Sequence, residues 1–176
     1  MCGFTGYLSK NIEANKELVM RMVNKVNSRG PDSEGYLLDK ENNFALAHNR
    51  LSIIDLSKNG NQPMISQDKK YFLVFNGEIY NHNDLRKEIN TEYKISWKGT
   101  SDTETLIECL AFWGIYKTLK KINGMFAFAL WDREEKTLSL VRDRLGEKPL
   151  YFGFINQTFV FGSQLKCFAP FPQWDK

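Results

Sequence analysis

An α+β fold, with two sheets packed on each other and covered by helices, is what this sequence predicts. Three observations point to it. Strand-like runs open and close the chain, and helical patterns lie between them. The apolar run Met125 to Trp131 shows no alternation, so it reads as a strand covered on both faces. At 176 residues the chain suits one domain with a full core.

The elements follow in order. Gly3 to Leu8 reads as a short strand. Ala14 to Asn27 spaces Leu18, Met22, Val23 and Val26 for an amphipathic helix, and Ser28 to Asp32 stops it. Gly35 to Leu38 and Phe44 to Arg50 read as strands around a polar turn. Ser57 to Lys70 is a long irregular stretch, of the kind that often forms functional lids. Tyr71 to Phe75 is a strand ending at an Asn76-Gly77 turn signal, and Asn81 is placed to cap a short helix through Leu85. Ser101-Asp102-Thr103-Glu104 is a capping box for a helix that resumes after Gly114. Thr137 to Arg142, Leu150 to Ile155 and Thr158 to Gly162 are the closing strands, and a short helix follows Ser163. The domain is expected over residues 1–168, with 169–176, carrying Pro170 and Pro172, as a linker or terminal edge.

Composition excludes several classes. The 24 Lys and Arg against 21 Asp and Glu leave a net charge of +3, spread along the chain, without the dense basic stripe that nucleic acid requires. No apolar run approaches a membrane span, and no secretory signal is visible. Three widely spaced cysteines, Cys2, Cys109 and Cys167, argue against a disulfide framework and for a cytoplasmic protein with free thiols. Two histidines, His48 and His82, cannot build a zinc site of usual spacing, so no metal is expected; neither is assigned a catalytic role.

Cys2 is the first candidate for chemistry. Removal of Met1 before a small residue would leave one residue holding both a thiol and a free amine, that is, nucleophile and base. An isolated Met-Cys start is more often an ordinary buried residue. A thiolate attacking an amide needs donors for the developing oxyanion, and Asn76 with Gly77 offers a side-chain amide beside a backbone N–H. Read alone, the pair is a common turn. Arg50 at a strand end, and Arg29 in an Arg-Gly-Pro-Asp loop, are candidates for a carboxylate fork. Glu78 and Asp102 are candidates for an ammonium group, although an acid in a first helical turn also answers the helix dipole. Cys109 and Cys167 read as packing residues.

Taken together, the residues resemble a known family. Met1-Cys2-Gly3-Phe4-Thr5-Gly6, Arg29-Gly30-Pro31-Asp32, Arg50 to Leu56, Gln62-Pro63-Met64, Phe75 to Asn81, Ser101 to Glu104, Asn123 to Asp132 and Arg142 to Tyr151 match, in order, the N-terminal glutaminase domain of glutamine-hydrolysing asparagine synthetases. These are class II glutamine amidotransferases of the N-terminal-nucleophile hydrolase type. The resemblance implies a four-layer α/β/β/α sandwich. It implies Cys2 as nucleophile and Asn76 and Gly77 as oxyanion hole. Arg50, helped by backbone groups near Ile53 and Ile54, would bind the glutamine α-carboxylate, and Glu78 and Asp102 its α-amino group. Arg29 would lie in a glutamine-covering region.

The expected activity is glutamine hydrolysis to glutamate and ammonia, without metal or organic cofactor. The family's ATP- and magnesium-using synthetase domain, with its Ser-Gly-Gly-x-Asp-Ser loop, has no counterpart in these residues. A synthetase domain or subunit receiving ammonia is therefore the implied partner, and a homodimer is compatible. Two positions depart from the family pattern: Thr100 where His is usual, and Gln164 where Glu is usual. Two other readings remain beside this one. The first is a glutamine-binding or partner-regulating module without turnover. The second is an N-terminal-nucleophile hydrolase acting on another amide.

Overall fold

In the computed structural model, which describes residues 1–174, nine strands form two antiparallel sheets. The first sheet contains β1 (Gly3–Ser9), β2 (Ser33–Asp39), β3 (Phe44–Arg50), β8 (Tyr151–Ile155) and β9 (Thr158–Gly162), in the order β2-β3-β1-β9-β8. The second contains β4 (Met64–Ile65), β5 (Tyr71–Ile79), β6 (Gly124–Asp132) and β7 (Thr137–Arg142), in sequence order. Chain ends and chain middle thus supply different sheets.

Three apolar clusters define four layers. Helix α1 (Lys16–Asn24) covers the outer face of the first sheet with Val19, Met22 and Val23 against Tyr7, Ala45 and Ala47. Between the sheets lie Phe4, Phe44, Leu46, Val74, Ala127, Ala129 and Trp131. On the far side, α2 (His82–Glu92) and α3 (Asp102–Lys121) pack Leu85, Ile89, Leu106 and Leu110 against Phe75, Phe126, Phe128 and Leu130. Alternate residues of β6 therefore enter different apolar layers, which is why its sequence shows no polar face. Cys109 and Cys167 are fully buried among apolar side chains.

Two local expectations are corrected. Asn76-Gly77 is no turn: β5 runs through it to Ile79, paired in register with β6 at Asn76↔Ala127 and Gly77↔Phe126. Glycine is needed there for close approach, since a Cβ at Gly77 would stand 2.3 Å from the Met125 carbonyl oxygen. Asn81 makes no capping bond to α2, which runs well past Leu85; its amide instead donates to Lys121 O (2.9 Å) and accepts from Asn123 N (2.9 Å). Beyond residue 168 the described chain stays close to the first sheet, with Phe171 buried and its ring centroid 5.5 Å from that of Tyr7. Residues 175–176 lie outside the described residues.

The break expected at Gly114 is present, at φ 75° within α3. Ser101 Oγ caps α3 by accepting from Glu104 N. Among the described residues, no helix is long and apolar enough to cross a membrane.

Candidate active site

The two sheets leave a cleft at the end where β1 begins. Cys2, Arg50, Ile53, Ile54, Asn76, Gly77, Glu78 and Asp102 all line it, together with Met1, Gln62, Ser101, Thr103, Met125 and Lys148. Every site position picked out by sequence except Arg29 thus opens on one cavity.

Cys2 stands just before β1. Its thiol sits between the backbone groups of Leu51, 3.4 Å from the N–H and 3.6 Å from the carbonyl oxygen. Burial is the main influence on it and pushes the thiol up. The Leu51 backbone, the chain's N-terminal ammonium and Arg50 pull the other way. Arg29 does not point at the cavity as a substrate fork. Its Nε donates to the Cys2 carbonyl oxygen at 2.8 Å, so it fixes the backbone that carries the thiol.

Arg50 ends β3 and is buried. The loop after it wraps the guanidinium: Nη1 donates to Ser57 O (2.8 Å) and to Asn61 Oδ1 (3.1 Å), and Nη2 donates to Asp55 O. A Cβ at Gly60 would fall 2.0 Å from Nη2, so the loop closes this tightly only with glycine there. Of the five N–H groups of a guanidinium, the loop takes three. Nε–H and one N–H of Nη2 have no acceptor among the described residues and remain available to a ligand. Asp55 ties the same loop to the segment that leads into α3, accepting from Ser57 N within the loop and from Thr100 N before the helix, both at 2.8 Å. Ile53 and Ile54 are 68% and 37% exposed at the cavity mouth.

On the opposite wall stands β5. The Asn76 side chain is buried, and its Nδ2 has no hydrogen-bond partner among the described residues. Strand alternation puts the N–H groups of Phe75, Gly77 and Ile79 on the edge of β5 away from β6. Two of them are taken by side chains: Phe75 N–H by Gln62 Oε1 (2.6 Å) and Ile79 N–H by Asp102 Oδ2 (2.9 Å). The Gly77 N–H between them has no such acceptor among the described residues. An amide N–H₂ and a backbone N–H on adjacent residues, both unclaimed, therefore face the cavity that holds the thiol.

Two carboxylates close the far end. Glu78 makes no hydrogen bond or ion pair through its carboxylate among the described residues. Asp102, in the first turn of α3, is buried, and that burial lifts its carboxyl to about 6 against the pull of the Ile79 and Thr103 N–H groups. Glu78 nearby raises it further.

Sequence reasoning missed three residues. Gln62 carries no role by sequence beyond its place in Gln62-Pro63-Met64, yet it bonds β5. His48 has no partner constellation in the sequence and is given no catalytic role there; its Nε2 donates to Phe75 O at 3.1 Å, a contact no motif encodes. Lys148 is buried at the cavity with its Nζ 3.5 Å from Met1 Sδ. No spacing signal announced it.

Comparison with known proteins agrees with this geometry. The family described as a glutamine amidotransferase domain matches residues 1–176. Asparagine synthetase [glutamine-hydrolyzing] 1 of Bacillus subtilis strain 168 is 41% identical over 172 residues, which cover 94% of this chain and 26% of that protein. A second protein of that strain, asparagine synthetase [glutamine-hydrolyzing] 3, is 36% identical, covering 98% of this chain and 28% of its own length. Amidase chyE of Penicillium rubens is 34% identical, covering 99% of this chain and 27% of that protein. The chain thus spans about a quarter of the length of these curated relatives. Among solved structures, glutamine phosphoribosylpyrophosphate amidotransferase of B. subtilis superposes with a TM-score of 0.78 at 20% identity, over 96% of this chain and 43% of that one. That likeness shows the fold, the N-terminal-nucleophile hydrolase sandwich. With every cavity residue of the expected set in one place and the family matched from end to end, the chain belongs to the glutamine amidotransferase domain family.

Proposed function

We propose that this chain hydrolyses glutamine to glutamate and ammonia with Cys2 as N-terminal nucleophile. The observation that carries the reading is the unpartnered, buried Asn76 Nδ2 opening on the cavity of the Cys2 thiol. A buried donor left without an acceptor costs stability. It persists where a charge arriving during reaction will use it.

Loss of Met1 places a free amine on Cys2. That amine takes the thiol proton, and the thiolate adds to the side-chain carboxamide carbon. Asn76 Nδ2 and the Gly77 N–H hold the oxyanion. Collapse of the tetrahedral adduct breaks the C–N bond, and the protonated amine returns its proton to the leaving ammonia. Water then cleaves the γ-glutamyl thioester, releasing glutamate and restoring the thiol. At the other end of the substrate, the free Nε–H and Nη2–H of Arg50 receive the α-carboxylate beside the Ile53 and Ile54 backbone. Glu78 and Asp102 receive the α-ammonium. The ammonia goes to a synthetase domain or subunit, where ATP and magnesium would activate an acceptor acid. Three free thiols in the described chain support a cytoplasmic setting.

Intact mass together with glutamate formation from glutamine tests this, for wild type and Cys2→Ala. The expected result is a chain lacking Met1 that forms glutamate, and a Cys2→Ala chain that forms none. Turnover by a chain that keeps Met1 would sink the mechanism. Glutamine binding by a trimmed chain without turnover would point to a binding module. Turnover of other amides in preference to glutamine would point to a different hydrolase.

A further inference from the structure

Strand β5 changes the kind of partner on its outer edge half-way along. At its start β4 supplies a backbone ladder, with Met64 opposite Leu73 and Ile65 opposite Phe72. β4 is only two residues long, so the ladder stops before Phe75. From there, side chains replace the missing strand. Gln62 Oε1 accepts from Phe75 N–H at 2.6 Å, and His48 Nε2 donates to the Phe75 carbonyl at 3.1 Å. Both backbone groups of the residue preceding Asn76 are therefore held, one by a side chain from the loop before β4 and one by a side chain from the other sheet.

We infer that His48 and Gln62 are positioning residues for the Asn76 and Gly77 donors. The inference rests on the glutaminase reading and deepens it. His48 is fully buried, and burial holds its ring near a pKa of about 4, so the imidazole is neutral and carries one N–H. The Phe75 carbonyl can only accept, so that proton sits on Nε2; Nδ1 has no partner among the described residues. Gln62 is fixed likewise: the Phe75 N–H demands its oxygen, which turns its Nε2 toward Thr103 Oγ1 at 3.4 Å. Thr103 follows Asp102, so the Gln62 side chain spans from the oxyanion strand to the head-group end of the cavity. Oxyanion donors act only when held close to the place where charge develops, and small displacements are costly. A strand edge fastened at Phe75 and Ile79 leaves Gly77, between the two fasteners, little freedom.

The test separates positioning from general damage. Glutamate formation is measured for His48→Leu, His48→Gln and Gln62→Leu in the trimmed chain, and glutamine Kd by calorimetry for each in a Cys2→Ala background. We expect His48→Leu to lower kcat about 10- to 100-fold. Its glutamine Kd should stay within about twofold, because Arg50, Glu78 and Asp102 are untouched. His48→Gln should recover most of kcat, since its Nε2 amide reaches the same carbonyl. Should His48→Leu fail to fold, Gln62→Leu and His48→Gln carry the comparison. Equal losses in kcat and Kd, an unchanged kcat in folded His48→Leu and Gln62→Leu, or a Gln variant no better than Leu would overturn the inference. A wild type without Cys2-dependent turnover would overturn the glutaminase reading itself, and this inference with it.

Discussion

The two outer helical layers are built to different rules. Helix α1 buries Val19, Met22 and Val23 and turns its charged residues to solvent. The first half of α3 buries everything from Asp102 to Leu110, including Asp102, Glu104 and Glu108. Its charges have assigned tasks. Glu104 accepts from Lys98 N (2.7 Å) and Gly99 N (3.0 Å) and pairs with Arg86 at 3.2 Å. Arg86 also donates to Thr105 Oγ1, Gly99 O and Ser101 O, and stacks on Trp97 with 4.1 Å between Cζ and the ring centroid. Asp102 holds Ile79 N–H, and Glu108 holds Gln67 N–H at 2.8 Å. One layer closes the core; the other orders loops and faces the cavity. Buried charge in a helix of a domain this size is costly unless bonded, so its concentration on α3 marks the working side.

The largest expected contrast sets Asp102→Asn against Met22→Ala. Asparagine keeps the size of Asp102 and can still accept from Ile79 N–H, but it cannot pair with an ammonium. Glutamine binding should weaken by about 2–4 kcal/mol, on the order of 100-fold in KM, with stability unchanged or higher because a buried carboxylate is gone. Met22→Ala should do the reverse, costing about 2–5 kcal/mol of stability and leaving KM alone. Steady-state kinetics and denaturant melts read both; a KM effect from Met22→Ala would break the division between layers. In the wild type, KM should also rise as pH falls through about 6, because a protonated Asp102 cannot hold the ammonium. Asp102→Asn should abolish that pH dependence.

Glu108 offers a smaller test on the same helix. Burial lifts its carboxyl from 4.5 to about 7, and Asp68 and Glu104 add to the lift. An acid whose pKa is higher in the folded chain favours folding when protonated. Its contribution is therefore fully present below about 4.5 and is lost as pH rises through about 7. Relative to Glu108→Gln, the wild type should lose on the order of 2 kcal/mol between pH 4.5 and pH 8. His48 and Asp102 titrate in both proteins, so the difference between the two melts isolates Glu108. A difference independent of pH would mean that Glu108 is solvated and that α3 is less different from α1 than its burial implies.

How much of this was legible in the sequence depends on the kind of bond. The layers were, because β6 lacks a polar face and α1 keeps a helical period. The cavity set was as well: Cys2, Arg50, Asn76, Gly77, Glu78 and Asp102 lie in ordered stretches and meet where the sheets end. What stayed hidden are side chains that bond backbone. His48 and Gln62 serve the Phe75 peptide, and a peptide group has no signature in sequence. Reading Asn76-Gly77 as a turn failed for a related reason. The pair has turn chemistry locally, but the register with β6 decides its conformation. Asn81 failed as a cap because two backbone groups at the end of α3 compete for its amide.

The smallest contrast is also the sharpest, since it makes nearly one change at two helix starts. Asn15 caps α1 by accepting from Leu18 N at 3.0 Å, and Ser101 caps α3 by accepting from Glu104 N at 3.2 Å. Either cap replaced by alanine should cost about 1 kcal/mol of stability. Asn15→Ala should end there, because among the described residues no hydrogen bond or ion pair joins the first turn of α1 to a cavity residue. Ser101→Ala frees the turn that begins with Asp102, so it should also raise the glutamine KM, by about three- to tenfold for roughly 1 kcal/mol of lost positioning. The same cost in stability at both sites, with a KM change at only one, is the expected pattern. A KM change from both variants would mean that the two layers are coupled through the sheets, and a change from neither would mean that Asp102 is held by Ile79 alone.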